Sequence, residues 1–196
     1  MRKSNQQNFK AVVIGVSTGG VAALKFIFRA LPADFPLPIL VVTHIAPESD
    51  DGLALFLDSL SPLRVKEADE QEIIVPGTAY LAPANYHLLI ERGGSLSLSI
   101  DPPVNFACPS IDVLFTSAAE VYGPALIGII LTGAGCDGSK GLLKIKERGG
   151  VAIVQEPSDA EIDSMPKSAL QLLTADYLLR LADLPGLLIK LGEGQQ

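Results

Sequence analysis

The sequence is poor in the residues from which metal sites and disulfides are built, with only two cysteines and two histidines among 196 residues. Cys108 and Cys136 have neither the C-x-x-C spacing nor the several pairs that a zinc site or a disulfide framework requires, so we expect reduced thiols. His44 and His87 are accompanied by no carboxylates at ligand-like spacing. We therefore expect no metal site.

Positive charge is also scarce, because 15 lysines and arginines oppose 22 aspartates and glutamates, for a net charge of −7. Binding of nucleic acid depends on clustered basic residues that release counterions, so we expect neither a nucleic-acid partner nor an anionic membrane surface. No apolar run approaches the roughly 18 residues that span a bilayer, and the N-terminus lacks the pattern of a signal peptide. The sequence thus predicts a cytoplasmic protein without membrane insertion.

Apolar residues make up 48% of the chain, and the length suits one domain with a substantial core. We expect a disordered tail over residues 1–8 and a single domain over residues 9–192. Apolar, β-branched runs alternate with helical patterns, which predicts a doubly wound α/β domain with a mostly parallel sheet. Strands are predicted at 10–16, 38–44, 65–68, 125–132, 151–155 and 177–180, and helices at 21–31, 52–60, 111–122, 139–148, 166–173 and 181–191.

The middle of the chain has a different pattern. Short apolar segments at 73–75, 79–82, 86–90 and 95–100 are divided by turns rich in proline, glycine and asparagine. Alternation of apolar and polar residues in the last segment is typical of a half-exposed hairpin strand. We interpret this section as an antiparallel hairpin insertion in the parallel core.

A serine lies in a glycine-rich turn after the first predicted strand. Gly15, Ser17 and Gly19 have the spacing of the nucleophile elbow G-x-S-x-G, in which a sharp strand-to-helix turn exposes a serine hydroxyl. Ser17 would lie at the helix N-terminus, where the helix dipole favours negative charge, and is our candidate nucleophile. The same pattern also fits a phosphate-binding turn or a simple helix cap.

Two further residues could complete a catalytic triad. A serine hydroxyl needs a base within hydrogen-bonding reach and a third group that orients the base. His44 ends the second predicted strand and Asp137 follows the strand predicted at 125–132, so both should reach the carboxyl edge of the sheet. Each also has an ordinary interpretation, as a structural histidine and as an aspartate in a turn.

Other chemistries compete with the triad. The spacing of Gly133, Gly135 and Gly138, with Glu156 after the next strand, matches a dinucleotide-binding fingerprint. A negative charge at Asp137, where pyrophosphate would lie, counts against that interpretation. A cysteine hydrolase that uses Cys136 with His44 is a weaker alternative, because nothing in the sequence indicates an activated thiol.

Several longer motifs occur in a characteristic order along nearly the whole chain. They are Gly15-Val-Ser-Thr-Gly-Gly20, Thr43-His-Ile-Ala-Pro47, Ala79-Tyr-Leu-Ala-Pro-Ala-Asn-Tyr-His-Leu88, Pro103-Val-Asn105, Pro109-Ser-Ile-Asp-Val-Leu-Phe115, Ile130-Leu-Thr-Gly-Ala-Gly-Cys-Asp-Gly138 and Asp163-Ser-Met-Pro166. Together they resemble the catalytic domain of the chemotaxis protein-glutamate methylesterases, the CheB family.

The resemblance implies hydrolysis of glutamate methyl esters on methyl-accepting chemotaxis receptors, with release of methanol, and deamidation of receptor glutamines. It implies Ser17 as nucleophile, His44 as general base and Asp137 as its partner, with no cofactor. The family has a methionine at the position of Ala134, whose backbone N–H would help to form the oxyanion hole. Thr18 would support the site.

Two departures from the family pattern affect these expectations. Members usually carry a preceding receiver domain, which is not expected here, so the chain would be either an excised catalytic domain or a stand-alone esterase under a separate regulator. The loop at 106–108 is usually basic in the family but reads Phe-Ala-Cys in this sequence, which affects the choice of substrate. A small-ester hydrolase, or an inactive homologue that acts as a binding module, are the alternative functions.

Overall fold

The computed structural model describes residues 8–46 and 48–194, so nearly all of the tail predicted at 1–8 lies outside the described residues. The strands are β1 (Ala11–Val16), β2 (Ile39–Thr43), β3 (Arg64–Glu67), β4 (Thr78–Leu81), β5 (His87–Ile90), β6 (Leu96–Ser99), β7 (Leu126–Ile130), β8 (Val151–Gln155) and β9 (Tyr177–Leu179). The α-helices are α1 (Gly20–Ala30), α2 (Gly52–Asp58), α3 (Ile111–Tyr122), α4 (Ser139–Glu147), α5 (Ser164–Leu172) and α6 (Leu184–Glu193).

The main sheet has seven strands in the order β3-β4-β2-β1-β7-β8-β9, and every pair in it is parallel. β1 lies at its centre and is wholly buried, as are β2 and β7. Alternate residues of β1 enter different cores, with Val12 and Ile14 on one face and Val13 on the other. Helices α1, α2 and α6 cover the first face and α3, α4 and α5 cover the second. This double covering explains why the central strands are continuous apolar runs.

The doubly wound fold with an antiparallel hairpin insertion is confirmed, with β5 and β6 as the separate antiparallel pair. The hairpin insertion is smaller than predicted. The segment 79–82 belongs largely to β4, which pairs in parallel with β2 and β3, because its side chains are buried on both faces as an interior strand requires. Residues 73–75 form no strand and contribute only an isolated bridge between Ile73 and Ser95.

The end of the chain also differs in detail from the prediction of one helix at 181–191. Residues Leu181–Asp183 form a 3₁₀ turn, and α6 begins at Leu184. Pro185 lies in the first turn of α6, where a missing N–H costs no helical hydrogen bond. Among the residues that the structure describes, no helix is long and apolar enough to cross a membrane.

The strand order places the predicted functional residues at one edge. β1 pairs with β2 on one side and with β7 on the other, and all three strands run in the same direction. Their carboxyl ends are followed by Ser17, His44 and the turn at 133–138. Ligand sites of open parallel sheets form at such an edge, where the connections that follow two adjacent strands lead in opposite directions. Here the two adjacent strands are β1, which is followed by β2, and β7, which is followed by β8.

Candidate active site

The turn after β1 presents Ser17. The Ser17 N–H donates to the Thr132 carbonyl at 3.0 Å, and the Ser17 carbonyl accepts from Gly20 N–H at 2.7 Å. Gly19 has a φ of 80°, which favours glycine, and a Cβ on Gly15 would collide with the Ile111 side chain. Ser17 therefore lies three residues before α1 begins, in the tight turn that the glycine spacing predicted.

His44 lies between Ser17 and Asp137. Its Nδ1 is 3.2 Å from the Ser17 Oγ, and its Nε2 is 3.0 Å from the Asp137 Oδ2. The Asp137 carboxylate can only accept, so Nε2 carries the hydrogen and the bare Nδ1 accepts from the Ser17 hydroxyl. The imidazole is 24% exposed and the carboxylate side chain 4% exposed, so the site is open on the histidine side and closed behind the aspartate.

Asp137 is buried within a set of hydrogen-bond donors. Its Oδ2 accepts from Ile111 N–H at 2.7 Å as well as from His44, and its Oδ1 accepts from the Ser110 hydroxyl and the Asn105 amide, both at 2.9 Å. Burial alone would raise the pKa of Asp137, but the bonds from these donors outweigh it and the pKa is lowered. The carboxylate therefore stays ionised and fixes the histidine tautomer.

The same carboxylate caps helix α3. The N–H groups of Ile111 and Asp112, in the first turn of α3, donate to Asp137 at 2.7 and 3.3 Å. Ser110 precedes α3 but makes no side-chain cap of its own, because its hydroxyl donates to Asp137. Helix α3 is thus capped by a residue from a distant loop and not by the serine that precedes it.

Asn105 and Asp112 extend the site in a way that residue spacing did not predict. The Asn105 Nδ2 donates to Asp137 Oδ1 at 2.9 Å and to Asp112 Oδ2 at 2.8 Å, so one amide bridges two carboxylates. Asp112 also accepts from Gly141 N–H at 2.6 Å. Burial is the main cause that raises the pKa of Asp112, and the nearby Asp137 raises it further. The sequence signal for these two residues was that each lies within a family motif.

The turn at 133–138 lies against Ser17. A Cβ built on Gly133 would be 2.8 Å from the Ser17 Cβ, and the Thr132 hydroxyl donates to the Thr18 carbonyl at 2.9 Å. Ala134 follows Gly133, is exposed, and lines the same cavity as His44 and Asp137. Ala134 thus lines the cavity that His44 and Asp137 also line, and the Thr18 carbonyl is tied to Thr132 beside Ser17.

The cavity at this edge has a volume of about 540 Å³. Its lining comprises His44, Ile45, Asn85, Pro103, Asn105, Phe106, Ala107, Cys108, Pro109, Ala134, Gly135, Cys136 and Asp137. Both cysteines are free and border it. Within residues 8–46 and 48–194, no three histidine, cysteine, aspartate or glutamate side chains form a cluster suited to a metal ion.

The geometry weakens the rival interpretations. Both ring nitrogens of His44 are engaged by Ser17 and Asp137, so His44 has no free ring nitrogen to act as a base for Cys136. The Asp137 carboxylate occupies the turn in which a dinucleotide pyrophosphate would have to approach backbone N–H groups. Glu156, the acidic residue of that fingerprint, instead forms an ion pair with Arg180 at 4.0 Å.

A family model described as CheB methylesterase matches residues 12–188. The chain belongs to the CheB methylesterase family. A Leptospira interrogans protein, provisionally named a protein-glutamate methylesterase/protein-glutamine glutaminase, is 50% identical over 95% of this chain and 96% of its own length. The CheB catalytic domain of Thermotoga maritima has a solved structure with a TM-score of 0.89 and 41% identity, covering 94% of this chain and 99% of that one.

Other CheB relatives are longer than this chain. The Thermotoga maritima protein named protein-glutamate methylesterase/protein-glutamine glutaminase is 42% identical over 93% of this chain but only 54% of its own length. The protein-glutamate methylesterase FrzG of Myxococcus xanthus is 40% identical over 89% of this chain and 52% of its own length. The chain therefore spans about half the length of these two relatives and corresponds to the methylesterase part.

Proposed function

We propose that this chain is a serine hydrolase that demethylates glutamate methyl esters on methyl-accepting chemotaxis receptors. The observation that carries the proposal is the continuous hydrogen-bonded series from the Ser17 hydroxyl through His44 to the buried Asp137. The names of its relatives supply the substrate class, since they are protein-glutamate methylesterases. We propose that the domain at residues 9–192 acts in the cytoplasm, on a receptor surface.

The hydrogen bonds imply the order of proton transfers. Ser17 Oγ attacks the ester carbonyl while His44 Nδ1 takes the hydroxyl proton, and the resulting imidazolium is stabilised by the ionised Asp137. When the C–O bond to the methoxy group breaks, the imidazolium returns its proton and methanol leaves. A water molecule that His44 then deprotonates hydrolyses the acyl-enzyme, which releases the glutamate carboxylate and restores Ser17. No cofactor takes part in these steps.

The negative oxygen of each tetrahedral intermediate needs donors close to Ser17. We propose that the backbone N–H of Ala134 is one of them, because Gly133 lies against the Ser17 Cβ and brings the next peptide to the site. Thr18 supports the arrangement through its carbonyl, which ties the nucleophile turn to Thr132. Receptor glutamines would follow the same route, with ammonia as the leaving group.

The proposal is tested by methanol release from a methyl-esterified cytoplasmic receptor fragment. Ser17→Ala should abolish release, because no other hydroxyl contacts His44 in the part of the chain described here. Ser59→Ala is a matched control, since its hydroxyl donates to Phe56 carbonyl on the exposed side of α2 and should leave release unchanged.

The alternative functions give different results. Ser17-dependent release from small methyl esters but not from the receptor fragment would indicate a small-ester hydrolase. Binding of the fragment without any release by the parent protein would indicate a binding module. Equal release by the parent and by Ser17→Ala would reject Ser17 as the nucleophile.

A further inference from the structure

A tight turn at the rim of the active-site cavity has an unusual conformation. Val104 and Ala107 exchange two backbone hydrogen bonds, of 3.1 and 2.9 Å, around a two-residue turn of Asn105 and Phe106. The φ angles of these two residues are 52° and 64°. Two positive φ values in succession are typical of a type I′ turn, for which asparagine followed by glycine is strongly preferred. Asparagine tolerates this conformation, whereas phenylalanine adopts it at a cost.

The turn is fixed relative to the triad. Asn105 is held by its bonds to Asp137 and Asp112, on the inner side of the turn. Phe106 is the next residue, lines the same cavity as His44, and has a fully exposed side chain. The backbone therefore holds an aromatic ring at the rim of the catalytic cavity. Glycine at this position would relieve the backbone strain, and contact with an apolar partner would remove the exposed ring from water.

The surroundings of this ring are suited to an apolar partner. No lysine or arginine is among the residues that line the cavity, so this lining offers no cation to attract an acidic substrate surface. Val104, on the other side of Asn105, is also exposed, which enlarges the apolar surface. An apolar side chain on the substrate would bury part of this surface when the ester reaches Ser17.

We propose that Phe106 determines substrate specificity by contacting an apolar side chain that flanks the esterified glutamate on the substrate protein. This inference rests on the proposed esterase function and concerns the selection of the substrate. A phenylalanine that packs against the substrate at the centre of a small contact should account for about a tenfold difference in affinity.

The test compares two synthetic peptides that carry the same glutamate methyl ester, one with leucine and alanine in the flanking positions and the other with serine and lysine. We expect the parent to prefer the apolar peptide about tenfold in kcat/KM, and Phe106→Ala to lose this preference. Hydrolysis of a single amino-acid glutamate methyl ester, which has no flank, gives the activity of each protein against which its peptide preference is compared. Phe26→Ala is the matched control, because Phe26 is a partly exposed phenylalanine on α1 and does not line the cavity.

A binding measurement separates this inference from the esterase function. In the Ser17→Ala background, the fluorescence anisotropy of a labelled apolar peptide should show about tenfold weaker binding after Phe106→Ala. Retention of the preference, or of the binding, in Phe106→Ala would overturn the inference while Ser17-dependent release from the small ester still supported the esterase. Absence of release from every ester would instead reject the proposed function, and the binding difference would still decide the role of Phe106.

The strained turn provides an independent readout. Phe106→Gly and Phe106→Ala both remove the ring, but only glycine suits a φ of 64°. Phe106→Gly should therefore melt about 2–4 °C above Phe106→Ala, and both should lack the apolar preference. Equal melting temperatures would contradict the turn geometry on which the inference depends.

Discussion

Replacement of Asp137 by asparagine should separate the chemistry of the proposed triad from its contribution to stability. The carboxylate accepts from five donors: His44, Asn105, the Ser110 hydroxyl and the N–H groups of Ile111 and Asp112. An asparagine offers one acceptor oxygen and one NH₂ group. The NH₂ group meets the fewest hydrogen-bond donors when the oxygen faces Asn105 and Ser110, because the NH₂ group then faces only Ile111 and His44.

In that orientation the histidine tautomer is reversed. His44 Nε2 must present a lone pair to the new NH₂ group, so the hydrogen moves to Nδ1, which faces Ser17 and can no longer accept a proton. Reversal of this kind lowers kcat by about 10⁴ in a triad hydrolase, or about 5.5 kcal/mol in the barrier. We therefore expect methanol release by Asp137→Asn to be near the limit of detection.

Stability should fall at the same time. One buried N–H group, that of Ile111, loses its acceptor, which costs about 1–3 kcal/mol, and α3 loses a negative charge at its N-terminus, which costs about 0.3–1 kcal/mol. For a chain of 196 residues, the sum corresponds to a decrease in Tm on the order of 10 °C. Circular dichroism at pH 7 would measure this shift.

The difference in stability should depend on pH. Because the pKa of folded Asp137 is lowered, its ionised form stabilises the fold above the unfolded-state pKa of about 3.9. This stabilisation is lost as pH falls through the folded-state pKa. The gap in Tm between the parent and Asp137→Asn should therefore be largest near neutral pH and should narrow below about pH 4.

Asp176→Asn is the control for a loss of stability without a change at the site. Asp176 accepts from Ala152 N–H at 2.9 Å and from Lys146 Nζ at 2.7 Å, at the amino end of β8 and away from the site. This variant should lose stability without losing kcat. If Asp137→Asn retained more than about a tenth of the parent kcat, the assigned role of Asp137 as the group that orients His44 would be refuted.

Two further substitutions test residues that hold the site in place. Asn105→Ala removes the amide that positions Asp137, so kcat should fall by about tenfold to a hundredfold with little change in KM. The pH–rate profile should also shift. An unchanged profile would show that Asn105 has only a structural role. Gly15→Ala adds a Cβ that collides with Ile111, so the free energy of unfolding should fall by about 1–3 kcal/mol. Denaturant unfolding beside Gly93→Ala, where a Cβ meets nothing within 4 Å, would measure this loss, and equal stability of the two variants would contradict it.

The parts of the fold that the sequence predicted well are those with a strong local signal. β1, β2 and β7 are buried on both faces, so their apolar runs are unambiguous. Since parallel strands place their carboxyl ends at one edge, Ser17, His44 and Asp137 could be expected to lie close together before any distance was known. β4 was assigned to the wrong sheet, because a four-residue apolar strand does not indicate its pairing partners.

The parts that were missed depend on contacts between distant residues. The cap of α3 comes from Asp137, more than twenty positions beyond the helix start, so the local preference of Ser110 could not predict it. Asn105 reaches Asp137 from a loop, and its bridging role follows only from the folded geometry. The positive φ of Phe106 runs against its intrinsic preference, as expected where function rather than local propensity selects the residue.

The central position of β1 has a consequence for the newly synthesised chain. β1 ends at residue 16, but its partner β7 begins only at residue 126. At synthesis rates of about 5–20 residues per second, the second neighbour follows after a delay on the order of ten seconds. During that time a strand without a polar side chain has one unpaired edge, which is open to association with other chains. The strand that organises the finished site is thus a segment that needs protection while the chain is still on the ribosome.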